Sequence, residues 1–307
     1  MIAAALAFAA ASTAASLPPQ DAAAIALSTA VVRRVGDEVW PQWSATPFQI
    51  DLITADGPVL INVARPFTPP KFPPDVEATL VLDTGPIVVI GEPRYTQSAA
   101  PVRWSVTLLH EHFHEWQYSW PAYQQAVKAL NLSHGDKTAM WMLDYKFPYE
   151  DARVDAAYAQ MSSRLADSLE AIRKPAFAGA VTRYIAARER FRSLLAADDY
   201  KYFAFQCWQE GTARYTEIAL AQRAALAHAA DPAFLTDTQA AALADDANRT
   251  YGNVLKRLRT IPLQDDKRVD FYAVGAGEAL LLDELVPGWH ARYLDRRMDL
   301  SVFFPSR

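Results

Sequence analysis

Residues His110-Glu111-His112-Phe113-His114 read His-Glu-x-x-His, inside a segment where Leu108, Leu109, Phe113 and Trp116 recur at helical spacing. On a helix, side chains four apart share one face. His110 and His114 then aim two imidazoles at a common point, as the ligands of one metal ion. Glu111, one position on, points beside that point rather than at it. That is the place for a base that takes a proton from water.

Two other readings of the same residues stay open. His112 between the two histidines, and Glu115 directly after, also suit the polar face of a surface helix. As His-x-His-x-His on a strand, alternation would put His110, His112 and His114 on one face. That version makes His112 a ligand and Glu210 dispensable. The helical recurrence of the apolar residues favours the helix, on which His112 points away and packs or bonds a neighbouring acid.

A catalytic zinc (Zn2+) site has three protein ligands and an open position. The third candidate is Glu210, in Cys207-Trp208-Gln209-Glu210-Gly211-Thr212-Ala213-Arg214-Tyr215. This segment reads as the start of an amphipathic helix, with Ala213, Ile218 and Ala221 for packing. The plain alternative is a helix-surface carboxylate. Glu217 lies seven residues further and returns to nearly the same face. It is either a partner that orients a ligand histidine or a solvated acid.

In these elements the chain resembles the gluzincin metallopeptidases. Glu210-Gly211-Thr212-Ala213-Arg214-Tyr215 matches, position by position, the Glu-Gly-x-Ala-x-Tyr helix that often supplies their third ligand. Phe271 to Asp283 resembles the Tyr-x-x-Gly helix start of the gluzincin aminopeptidases, usually Tyr-x-Lys-Gly. Tyr272 maps to the tyrosine, Gly275 to the glycine, and Val274 replaces the lysine. The resemblance implies that His110, His114 and Glu210 hold zinc and that Glu111 is the general base. It implies that Tyr272 bonds the oxyanion of the reacting carbonyl, as a phenol fixed there can. A packing tyrosine is the plain alternative.

The implied activity is zinc-dependent hydrolysis of a peptide or protein substrate. The order of the elements matches the family. The 95 residues between His114 and Glu210 exceed the spacing in the best-known gluzincins and read as inserted helices over 132–205. No Gly-x-Met-Glu-Asn segment lies upstream. The charged Glu115 and the missing lysine leave open a catalytically inactive, metallopeptidase-like binding protein.

The fold expected is α+β and zincin-like: a small N-terminal β-sheet, then a mainly α-helical body carrying the active-site helix. A first helix is expected over Asp21–Val39. A hairpin is expected from Pro47–Thr54 and Val59–Ala64, followed by strands at Ala78–Asp83 and Pro86–Ile90. Pro86–Ile90, just before the active helix, is the candidate cleft edge to which a peptide adds as an extra strand. Its four consecutive apolar residues equally fit a buried strand. The active helix is expected over Val102–Lys128, broken or kinked at Pro121.

Further helices are expected over Thr138–Tyr145, Tyr149–Ile172, Pro175–Ala196 and Tyr202–Ala229, then Thr238–Leu258, Ala276–Leu285 and Trp289–Arg297. This divides residues 17–307, read as one metallopeptidase-like domain, into a mixed part over 17–101 and a helical part over 102–307. His134, His228 and His290 are expected to stand outside the chemistry.

Composition bounds the rest. The net charge of −5 argues against nucleic acid as the main partner. Met1 to Ser16 is uncharged and rich in alanine, and reads as a signal peptide cut near Ser16-Leu17, or as a plain alanine-rich helix. The first reading predicts an exported protein, periplasmic or secreted, with no membrane span after cleavage. Cys207 is the only cysteine, so no intrachain disulfide forms. It reads as a buried thiol.

Overall fold

The computed structural model describes residues 17–65, 67–82, 85–136, 140–260, 262–295 and 298–305. The leader read at Met1–Ser16 lies outside them, as do Asp83, Thr138 and Arg297 at the ends of three expected elements.

The chain is α+β, with a four-stranded sheet on its N-terminal side and a mostly helical body after it. Helix α1 (Pro19–Val39) opens on a proline, which loses nothing at a first helical position. The hairpin forms from β1 (Ile50–Thr54) and β2 (Gly57–Ile61). Gly57 closes the turn at φ 118°, a conformation that disfavours any side chain. β3 (Glu77–Leu82) and β4 (Gly85–Gly91) complete the sheet in the order β2-β1-β4-β3. β1 runs parallel to β4, with Ile50 beside Val88 and Leu52 beside Ile90. Those four residues pack with Ala24 and Ile25 of α1 and with Trp104 and Leu108 further on.

The strand expected at the cleft edge, Pro86–Ile90, is interior. β4 pairs with β1 on one side and β3 on the other. Its run Ile87–Ile90 is wholly buried, as a strand covered on both faces should be. The edge strands are β2 and β3; on β3, Thr79 is buried and Val81 is 49% exposed.

The helix expected over Val102–Lys128 divides into α2 (Pro101–Ser119) and α3 (Tyr123–Leu130). Pro121 has no N–H to continue the first and disfavours helical backbone before it. There follow α4 (Trp141–Asp144), α5 (Ala152–Glu170), α6 (Phe177–Ser193) and α7 (Ala197–Gln206). A π-helical turn (Cys207–Gly211) leads into α8 (Thr212–Ala230). After it come α9 (Asp237–Thr260), α10 (Leu263–Asp266) and α11 (Arg268–Leu285).

Three expectations change here. The helix read over Tyr202–Ala229 starts earlier and is interrupted by the π turn. α11 begins at Arg268, so Tyr272 sits in its second turn rather than ahead of a helix at Ala276. The expected helix at 289–297 is a short 3-10 turn over Trp289–Arg292.

The segment 132–205 joins the main apolar cluster through residues such as Leu165, Phe191 and Phe203, which pack with Phe271 and Leu282. Among the described residues, no helix is long and apolar enough to cross a membrane.

Candidate metal centre

α2 is an interior helix. Every residue from Trp104 to Gln117 is buried, including His110, Glu111, His112, His114 and Glu115. The surface-helix reading and the strand reading both fall to this placement. Burying so many polar groups is costly unless each finds a partner. Their partners divide the helix into two polar faces.

On one face stand His110 and His114, with ring centroids 5.0 Å apart. The Nε2 atom of His110 lies 3.7 Å from Oε2 of Glu210, and that of His114 lies 3.5 Å from the same oxygen. Ligand atoms of the three residues all lie within 4.8 Å of one another. Each ring is anchored at its other nitrogen. His110 Nδ1 meets Glu217 Oε1 at 2.7 Å, and His114 Nδ1 meets Gln117 Oε1 at 2.7 Å.

Both anchors are acceptors, which sets the tautomers. Glu217 is held by Arg103 at 2.6 Å and Arg214 at 2.8 Å. The Gln117 amide nitrogen donates to the Tyr293 hydroxyl at 2.6 Å, so its oxygen is the atom turned to His114. With Nδ1 donating outward, each Nε2 presents a lone pair to a carboxylate oxygen. Two buried acceptors and one partly buried one converging on a corner repel unless a cation or a proton joins them. Two imidazole nitrogens and one carboxylate oxygen are a donor set that zinc accepts, and the orienting hydrogen bonds are those of a ligand histidine.

Glu210 reaches this corner from the π turn. The extra residue of a π turn bulges the helix and re-aims its side chains. The turn is clamped by two glycines. A Cβ on Gly211 would sit 2.4 Å from the Gly275 Cα, and one on Gly275 would sit 2.2 Å from the Cys207 carbonyl oxygen. Only glycine allows α11 this close. The clamp brings Tyr272, one turn ahead of Gly275, toward Glu210. Cys207 is a free, buried thiol inside the same turn.

Glu111 stands apart from the three-residue cluster. Thr79 Oγ1, from edge strand β3, lies 2.8 Å from its Oε2 and 2.7 Å from its carbonyl oxygen. The Tyr272 hydroxyl accepts from Arg268 Nη1 at 2.6 Å, which leaves its own proton to donate. Burial, and then the Glu210 charge, push this phenol well above its ordinary pKa, so it stays an O–H donor.

Burial alone would raise the Glu210 carboxyl; the facing His114 and His110 override that and hold it well below the usual range. Glu217 is likewise held down, against burial, by Arg103 and Arg214 and by His110. Burial works against charge on His110, but its hydrogen bonds to Glu210 and Glu217 outweigh it and push its pKa up to about 9. Without an ion, these carboxylates favour a proton on His110.

The second polar face belongs to His112. Its ring stacks on Phe48 with centroids 4.0 Å apart, and Nδ1 meets Glu115 Oε2 at 2.6 Å. Glu115 also accepts from the Gln49 backbone N–H at 3.1 Å, tying α2 to the start of β1. Burial lowers the His112 pKa to about 3 and raises the Glu115 carboxyl. Glu115, which directly follows His114 and suggested a surface helix, is thus a structural tie on the far side of α2. His228 pairs with Asp237, and His290 packs on Trp40 and bonds Tyr215.

Several residues of the site were not singled out from sequence. Gln117 and Arg103 share a stripe with His110 and His114, and helical spacing alone picks them out. Thr79 carries no such signal, because its contact depends on how the sheet seats against α2. No family model, curated protein or solved structure matches this chain.

Proposed function

We propose that this protein is a metal-dependent hydrolase, and more narrowly an exported zinc metallopeptidase of gluzincin type. The observation that carries the reading is the pair of anchored histidines. Both present Nε2 to one Glu210 oxygen, at 3.7 and 3.5 Å, while Glu111 is held separately by Thr79. Ligands and base are thereby divided between different residues.

His110, His114 and Glu210 would hold the zinc, which supplies Lewis acidity toward water and a carbonyl oxygen. Glu111 takes a proton from the attacking water at its carboxylate and returns it to the leaving amine nitrogen. Tyr272 donates its O–H to the oxyanion as charge develops there. The free edge of β3 offers main-chain hydrogen bonds to an extended peptide, beside the Thr79 that orients Glu111.

The test is turnover of a peptide library by zinc-loaded protein and by its Glu111→Gln variant. The wild type should cleave; the variant should keep its zinc and lose activity by at least ~100-fold. No cleavage by the wild type favours a metallopeptidase-like protein that binds without hydrolysing. Loss of zinc from the variant contradicts the role given to Glu111.

A further inference from the structure

Arg268, Tyr272 and Gly275 fall at successive turns of α11, so they form one stripe. Gly275 is the point where that stripe touches the π turn carrying Glu210. Tyr272 is one turn away from this contact and Arg268 two. The Arg268 guanidinium donates to the Tyr272 hydroxyl at 2.6 Å and lies 5.8 Å from its ring centroid.

The arginines of this region differ in one respect. Arg103 is neutralised by Glu217 and Asp246, and Arg214 by Glu217. Arg268 is half-buried, and among the described residues no carboxylate stands within ion-pair distance of it. A partly desolvated guanidinium that is hydrogen-bonded to a phenol, and feels the Glu210 charge from beyond ion-pair distance, retains most of its donors. That fork suits a carboxylate, bound through two parallel N–H bonds.

Distance restricts which carboxylate. The Tyr272 side chain interacts with Glu210 of the metal corner and with Arg268. An anion on Arg268 is therefore about one hydrogen-bonded group beyond a carbonyl held at Tyr272. One extended residue spans roughly 3.3–3.6 Å. The group that fits is the α-carboxylate of the residue just after the scissile bond.

We propose that Arg268 binds the C-terminal carboxylate of the substrate, which makes this site one that removes single residues from peptide C-termini. This rests on the metallopeptidase reading above. Upstream residues of the peptide extend toward β3, and no more than one residue follows the cleaved bond. Arg268 acts by binding substrate; the proton steps remain with Glu111.

The experiment uses zinc-loaded Glu111→Gln protein, so that binding is measured without turnover. The probes are N-acetylated tripeptides with a free C-terminus and the same peptides as C-terminal amides, titrated by calorimetry. The acids should bind at least about tenfold tighter than the amides. Adding Arg268→Ala should bring the acids down to the amides and leave the amides little changed, while Arg268→Lys should retain part of the preference. A merely structural role, propping Tyr272, would weaken acids and amides alike.

Equal binding of acid and amide to the Glu111→Gln protein overturns the proposal. Hydrolysis by the wild type separates the two readings. Cleavage of both peptide forms without an acid preference refutes the carboxylate site and leaves the peptidase standing. An acid preference that Arg268→Ala abolishes, without cleavage, refutes the peptidase and leaves the carboxylate site.

Discussion

His110 Nδ1 sits 2.7 Å from Oε1 of Glu217, and this contact decides which ring nitrogen faces Glu210. Glu217 is itself fixed by Arg103 and Arg214. Orienting partners of this kind are typically worth about 10–100-fold in metal affinity. Glu217→Gln should lower zinc affinity by that amount in a chelator competition titration, with the fold retained by circular dichroism. Unchanged affinity would mean that His110 needs no such anchor.

On the proposed reading, a proton and a metal ion compete for the same corner. The folded His110 pKa is pushed up to about 9, against an ordinary value of 6.5. In metal-free protein, this ring adds stability that is fully present below about pH 6.5. It is lost as pH rises through about 9, a change of up to ~3 kcal/mol. Zinc binding has the opposite sign. Below about pH 9 the proton must leave first, so apparent affinity should rise about tenfold per pH unit and then flatten. Calorimetry at pH 7.5 in buffers of different ionisation enthalpy should report about one proton released per zinc bound.

The glycine clamp predicts a contrast in stability. Gly275→Ala would force a methyl to within 2.2 Å of the Cys207 carbonyl oxygen. The cost should be at least ~1–3 kcal/mol, with Tyr272 displaced as α11 moves off the π turn. Gly252→Ala, in α9, meets nothing within 4 Å and should stabilise by about 0.5–1 kcal/mol. Chemical denaturation of both variants measures the difference; equal effects would remove the clamp from the account.

Thr79 joins the sheet to Glu111, the proposed base. Thr79→Val keeps the shape and deletes the hydroxyl at 2.8 Å from Glu111 Oε2. Zinc content should not change, while kcat falls about 10-fold or more because a misplaced base no longer meets the water. A loss confined to KM would place Thr79 in substrate binding instead.

Much of this site is legible where one helix sets the geometry. His110, His114, Gln117 and Arg103 share a face because of the 3.6-residue period, and that period is written in the sequence. Glu210 is legible as a ligand candidate, but its π turn is not. The segment carries helical apolar spacing on both sides, and the inserted residue shows only when α11 presses on Gly211. The four strands are legible from alternation and from the Asp56-Gly57 turn. Their order is not, because β1 meets β4 in parallel through contacts remote in sequence. The edge therefore passes from Pro86–Ile90 to β3, and with it the contact between Thr79 and Glu111. Arg268 goes unnoticed for the same reason: nothing local distinguishes an unpaired arginine from a paired one.

The most direct test of the central claim is zinc stoichiometry and zinc X-ray absorption on the purified protein and three variants. The account predicts one zinc per chain, bound by two imidazoles and a carboxylate. It predicts that the metal is lost with His114→Ala or Glu210→Ala and kept with Glu111→Gln. Substoichiometric metal in the wild type, or a zinc that survives Glu210→Ala unchanged, would contradict it.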